Sequence, residues 1–62
     1  MIQVKNKLNN QIYYFRFFSN NKNMFYYTPT TEAWGFDFGY IDTFEPINTT
    51  WKKIKNNRRR NE

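Results

Sequence analysis

The side chains that most often perform catalysis are scarce in this chain. It has no His and no Cys, and only five Asp and Glu residues. Ser19 is its single serine, and no glycine-rich turn surrounds it. General bases, activated nucleophiles and zinc ligands come mainly from the missing residue types. We therefore expect a protein that is not an enzyme, uses no cofactor and takes no small-molecule substrate.

Three carboxylates in the second half of the chain have the right chemistry for a hard cation: Asp37, Asp42 and Glu45. Their spacing matches no calcium-binding loop, and Asp37 interrupts an alternating aromatic run. We expect a solvent-facing strand residue followed by turn carboxylates, and no metal site.

The C-terminal segment carries the clearest binding signal. Residues 52–60 contain six cations: Lys52, Lys53, Lys55, Arg58, Arg59 and Arg60. Such side chains neutralise phosphates, and Arg can hold one through two parallel hydrogen bonds. The segment therefore predicts a polyanion-binding site whose partner is nucleic acid or an acidic protein surface. A tail that only keeps an apolar domain in solution is the alternative.

The net charge of +5 is strongly segregated along the chain. Residues 1–22 contain four cations and no carboxylate, and residues 23–50 contain four carboxylates and no cation. Residues 51–62 contain six cations and one carboxylate. This distribution predicts a molecule with a basic pole and an acidic loop region.

Aromatic residues are too numerous for one face of a small sheet to hide. The chain has two Trp, five Tyr and seven Phe in 62 residues. An exposed aromatic patch usually marks an interface, so part of one set should lie outside the core. That candidate interface set is Tyr13, Phe15, Phe17, Tyr26 and Trp34. It would serve as a homodimer interface, a base-stacking surface or a docking face for another protein.

Residues 34–41 contain a glycine followed by alternating aromatic residues, a pattern that also occurs in RNA-binding strands. Trp34 stands where those strands have a basic residue, and Asp37 where they have a small one. The run therefore identifies no family. We expect its three alternating rings to face the core: Phe36, Phe38 and Tyr40.

Hydrophobic periodicity predicts a mainly β fold. Residues 2–8, 11–19, 24–28 and 36–41 read as strands, and the first two connections are rich in Asn, which favours turns. Residues 28–35 suit a short helical turn, and residues 43–46 a loop. We expect a small antiparallel sheet, a meander of three to four strands. A small β-barrel is the alternative.

The chain should end in a short helix capped by Thr49 or Thr50, with Trp51 and Ile54 on its apolar side and the lysines on its wet side. Residues 1–55 would form the single domain, and residues 56–62 a basic, flexible tail.

Size and composition bound stability and origin. So short a chain has a thin core and no Cys for disulfides, so tight aromatic packing or a partner must stabilise it.

The longest apolar stretch of the chain, residues 12–18, contains Arg16 and is too short to span a membrane. We see no secretory signal. Abundant Asn, Lys, Ile, Tyr and Phe indicate AT-rich codons, hence the cytoplasm of a low-GC bacterium or phage-infected host, or an organelle matrix.

Together these features favour a small non-catalytic binding protein that associates with nucleic acid through its basic tail and exposed aromatics. A phage- or mobile-element-encoded inhibitor or adaptor that docks on a host protein, for example a nucleic-acid enzyme, is the first alternative. A small structural subunit of a larger assembly is the second.

Overall fold

The computed structural model describes residues 1–32 and 34–60, with the side chains of residues 57–60 outside the description. The elements are β1 (Gln3–Asn6), β2 (Ile12–Phe18), β3 (Met24–Thr28), β4 (Asp37–Tyr40), β5 (Phe44–Pro46) and α1 (Trp51–Arg60). All strand pairs are antiparallel, in the order β4-β3-β2-β1-β5. The predicted mainly β fold with a short C-terminal helix is confirmed. The sheet is open, with no ladder joining β4 to β5 in the described residues, so the barrel alternative is wrong.

Asparagine side chains form the two predicted hairpin turns. Between β1 and β2, Leu8 N–H donates to Asn6 Oδ1 at 2.7 Å and Asn10 adopts a φ of 62°. Between β2 and β3, Asn23 N–H donates to Asn21 Oδ1 at 3.0 Å. A short amide side chain that bonds the backbone two residues on stabilises such a turn locally.

A β-bulge in β2 changes which residues reach the core. Phe15 lies opposite Tyr27 and Phe17 opposite Tyr26, so Arg16 is the extra residue. Strict alternation along residues 11–19 would place Phe15 and Phe18 on opposite faces. The bulge shifts the alternation by one residue, so both rings are buried on one face, with centroids 5.0 Å apart.

The connection from β4 to β5 forces the sheet to curl. These strands lie at opposite edges, about 19 Å apart in a flat five-stranded sheet. Only residues 41–43 join them, and the chain from Tyr40 to Phe44 can span at most about 14 Å. The sheet therefore has a concave inner face that encloses the core and a convex outer face.

Residues 43–46 were expected to form a loop, and that prediction is wrong. β5 pairs with β1, with Asn6 opposite Phe44 and Val4 opposite Pro46. Burial of the Phe44 ring fixes this short strand, but three residues are too few to show a period in the sequence.

The core lies between the inner face and α1. Its buried apolar side chains are Val4, Phe15, Phe18, Phe25, Phe44 and Ile54. The Trp51 ring lies 5.0 Å from that of Phe25, and its Nε1–H donates to the Phe44 carbonyl oxygen at 3.3 Å. The inward face predicted for the helix, Trp51 with Ile54, is confirmed.

The N-terminal cap of α1 is Thr50, because Lys53 N–H donates to its Oγ1 at 3.2 Å. Lys55, expected on the wet side, is half-buried with its Nζ 5.9 Å from the centroid of the Phe18 ring. Residues 61 and 62 and the side chains of 57–60 lie outside the described part of the chain. A flexible tail over residues 56–62 therefore stays a prediction.

The segment between β3 and β4 forms turns and bends in its described residues rather than the expected helical turn. Thr28 Oγ1 donates to the Thr30 carbonyl oxygen at 2.7 Å, a local hydrogen bond that stabilises a turn. Arg16 donates from Nε to Thr28 Oγ1 at 3.0 Å and from Nη2 to the Thr31 carbonyl oxygen at 2.9 Å. The bulge residue thus fixes this loop against the sheet.

A glycine substitution tests the packing at the β4–β5 corner. A Cβ at Gly39 would lie 2.6 Å from a carbon of the buried Phe44 ring and 3.2 Å from Tyr27. We expect Gly39→Ala to lower the free energy of unfolding by about 1–3 kcal/mol through overpacking. Gly35→Ala is the matched control, since apart from its chain neighbours no described residue lies within 4 Å of a Cβ at Gly35. Urea denaturation followed by Trp fluorescence measures both, and equal stabilities would contradict this account of the corner.

Candidate interaction surfaces

A cluster of rings covers the convex side of the sheet at its β4 end. Phe36, Phe38 and Tyr40 are 50%, 57% and 52% exposed, and Phe17 is 39% exposed. Phe17 lies 5.1 Å from Tyr26 and 5.3 Å from Phe36, measured between ring centroids. We call these five residues the outer aromatic face. They leave large apolar surface in water, which is the usual mark of an interaction site.

The register of β3 and β4 places these rings outside. Phe38 lies opposite Tyr26, and neighbouring cross-strand residues share a face. Gly39 alternates with them onto the inner face, where the Phe44 ring leaves no room for a side chain. The expectation that Phe36, Phe38 and Tyr40 face the core is therefore wrong. Gly39 was the signal in the sequence for this orientation, because a glycine within a strand often marks a place where another group packs closely against the backbone.

The predicted interface set divides among four places. Phe15 is buried in the core, so its inclusion was wrong, and the Arg16 bulge is the cause. Tyr13 is half-buried on the inner face, with its ring 4.8 Å from that of Tyr27. Phe17 and Tyr26 belong to the outer aromatic face. Trp34, in the loop before β4, is 96% exposed.

Asp37 does not lie among the exposed rings. It is opposite Tyr27 in the register and shares the inner side with it. Burial is the main cause that raises the pKa of Tyr27 above its ordinary value. The charge of Asp37 raises this pKa further, and Tyr13 has the smallest effect in the same direction. The carboxylate is thus separated from Phe38 by the sheet itself.

Few cations are available to the outer aromatic face. The segment 23–50, which supplies four of its five rings, contains no Lys or Arg. Arg16 precedes Phe17 in β2, but its guanidinium is hydrogen-bonded to Thr28 and Thr31. A partner at this face therefore meets aromatic surface rather than positive charge.

The described cations of α1 form a second surface. Trp51 and Ile54 hold the helix against the inner face, so α1 lies across the sheet from the outer aromatic face. Lys52 and Lys53 are exposed, and the first turn contains no acidic residue. The predicted polyanion site also included Arg58, Arg59 and Arg60, whose side chains lie outside the described part. Lys52 and Lys53 are the pair that the structure places in solvent.

A shallow cleft of about 370 Å³ lies beside the start of α1. It brings Lys7, Asp42 and Glu45 together with the Trp51 ring. Among the described residues no three His, Cys, Asp or Glu side chains are grouped so that they could hold a metal ion. The cleft therefore combines one cation and two carboxylates beside an aromatic ring.

Comparison with protein-family models, curated proteins and solved structures finds no match to this chain. Within residues that the structure describes, no helix is long and apolar enough to cross a membrane. The two surfaces themselves are therefore the basis for any functional assignment.

The environment of Tyr27 predicts a loss of stability in alkali. Below pH 10.0, the ordinary pKa of Tyr, Tyr27 is neutral in both the folded and the unfolded chain. Its contribution to the free energy of unfolding is then fully present. As the pH rises through that value, the unfolded chain ionises first, because folding raises the pKa of Tyr27. The midpoint of urea denaturation should therefore decrease as the pH rises above 10.0, the ordinary pKa of Tyr. The decrease should be smaller in Tyr27→Phe.

The variant Asp37→Asn separates the two main causes of this raised pKa. It removes the charge but leaves the burial, so the alkaline loss of stability should lie between those of wild type and Tyr27→Phe. An unchanged pH profile in Tyr27→Phe would show that other groups control alkaline unfolding.

Proposed function

We propose that this protein is a small non-catalytic binding protein that contacts nucleic acid through α1. The carrying observation is the way this helix is docked. Its apolar side completes the core through Trp51 and Ile54, which leaves Lys52 and Lys53 in solvent. The same helix continues through the sequence positions of Arg58, Arg59 and Arg60.

Packing of α1 against the sheet favours phosphate binding by its exposed lysines. Lysine contacts to phosphate release condensed counterions, and this release dominates non-specific affinity. Cations on a helix that is already packed give up less backbone freedom on binding than those on a free chain. The net charge of +5 also speeds encounter with a polyanion. The abundance of Asn, Lys, Ile, Tyr and Phe, residues whose codons are AT-rich, favours a bacterial, phage or organellar setting, where the nucleic acid is in the same compartment.

Neutralising the exposed helix lysines tests this function. We expect Lys52→Gln with Lys53→Gln to weaken oligonucleotide binding and to reduce the slope of log affinity against log salt by about 1.4–1.8, the value for two lost phosphate contacts. Fluorescence anisotropy with single- and double-stranded oligonucleotides over a salt series measures both quantities.

Lys5→Gln with Lys22→Gln is the matched control, since it removes the same charge from positions away from α1. Equal losses in both double variants would indicate a general charge effect rather than a site on the helix. Absence of wild-type binding at about 50 mM salt would end the proposal.

A protein-docking role is a second candidate, favoured by the outer aromatic face. Large exposed rings are typical of the residues that dominate protein interfaces, and few cations are available at this face to contact phosphate. An inhibitor or adaptor of phage or mobile-element origin would use such a face. A pull-down from nuclease-treated lysate should then recover a stoichiometric protein with wild type, but not with Phe36→Lys.

A further inference from the structure

We propose that the free edge of β4, with the exposed rings of Phe38 and Tyr40 beside it, binds a second copy of this chain. The two β4 strands pair antiparallel across a two-fold axis, and the two sheets of five strands become continuous. This inference is independent of nucleic-acid binding by α1, which lies on the other side of the sheet.

The hydrogen-bond alternation of the sheet shows which groups of β4 are free. Ile41 N–H donates to the Asn23 carbonyl oxygen at 3.0 Å, so Gly39 and Asp37 also direct their backbone groups toward β3. Phe38 and Tyr40 therefore direct theirs away from the sheet. Of these, the Tyr40 carbonyl accepts from Thr43 N–H at 2.9 Å and keeps one lone pair.

The opposite edge of the sheet is blocked. Lys7 N–H donates to the Thr43 carbonyl oxygen, so by the same alternation Phe44 and Pro46 direct their backbone groups outward. Pro46 has no N–H to donate, and the indole of Trp51, which donates to the Phe44 carbonyl oxygen, lies against this edge. Of the two edges, β4 is thus the one able to extend the sheet, and an edge that pairs with itself gives a closed two-fold dimer.

One register uses every free group on β4. With the two Gly39 residues on the axis, Phe38 of each copy exchanges backbone hydrogen bonds with Tyr40 of the other. The rings of these residues then form cross-strand aromatic pairs on the convex side. Asp37 lies opposite Ile41 of the second copy, so no like charges face each other.

The rings that border the β4 edge add apolar contact to these hydrogen bonds. Phe38 and Tyr40 are 57% and 52% exposed, and strand pairing brings each against a ring of the second copy. In the described residues six buried apolar side chains form the core, and the chain has no Cys for disulfides, so association supplies burial that the monomer lacks.

A matched pair of charge insertions tests the surface. Light scattering should give about twice the chain mass of 7.8 kDa for wild type. Phe38→Lys places two cations near the axis and should raise the dimer dissociation constant at least about ten-fold. Leu8→Lys inserts the same charge at a turn residue that is 85% exposed, and it should remain a dimer. A monomeric wild type at millimolar concentration, or a dimeric folded Phe38→Lys, would overturn the proposal.

Cross-linking tests the register even if Phe38→Lys fails to fold. The natural chain has no Cys, so Phe38→Cys and Tyr40→Cys can be mixed and oxidised. Residues that exchange hydrogen bonds across antiparallel strands have Cα atoms about 5.5 Å apart, within disulfide range. The mixed disulfide should exceed its share under random pairing, and no excess would refute β4 pairing.

The anisotropy assay separates this inference from the proposed function. Phe38→Lys should retain oligonucleotide binding through α1. If Phe38→Ala instead weakens oligonucleotide binding while wild type is a monomer, the rings stack on bases and the dimer is refuted.

Discussion

The short connection between β4 and β5 is the constraint on which the rest of the structure depends. Three residues cannot cross the width of a flat sheet, so the sheet bends until the end of β4 and the start of β5 lie near each other. Bending creates a concavity small enough for a few rings to fill. It also brings the Phe44 ring onto Gly39, and that contact fixes which side of β4 faces the core. The exposed rings of β4 are thus a geometric result of the same bend that makes the core.

Helix α1 joins stability to the proposed binding surface. Trp51 packs against three phenylalanine rings of the sheet and ties its indole to β5, so the open side of the concavity is closed by this one element. The lysines next to Trp51 are presented to solvent because the indole is buried. Ligands that bind the helix in its docked position would therefore stabilise the whole fold by mass action.

Local chemistry was readable from the sequence, while long-range geometry was not. Asn turns, the Thr50 cap and the pairing of Trp51 with Ile54 each depend on residues within four positions of one another. The bulge at Arg16 left no such signal, and it transferred Phe18 to the same face as Phe15. Similarly, the facing of Phe38 depends on Phe44, a residue across the sheet, and alternation alone gives two equivalent orientations. The aromatic surplus was a sound reason to expect an interface, but strand parity could not identify its members.

The order of the strands has a consequence for synthesis on the ribosome. β1 is made first, yet one of its two neighbours is β5, and the core beside it is closed by Trp51 and Ile54. The hairpins β1–β2 and β2–β3 can form while translation continues, but the nascent sheet would keep its inner rings exposed to solvent. Only when the last turns of α1 leave the exit tunnel can the helix fold onto them. Folding of this sheet is therefore completed only after α1 has been synthesised and has left the exit tunnel.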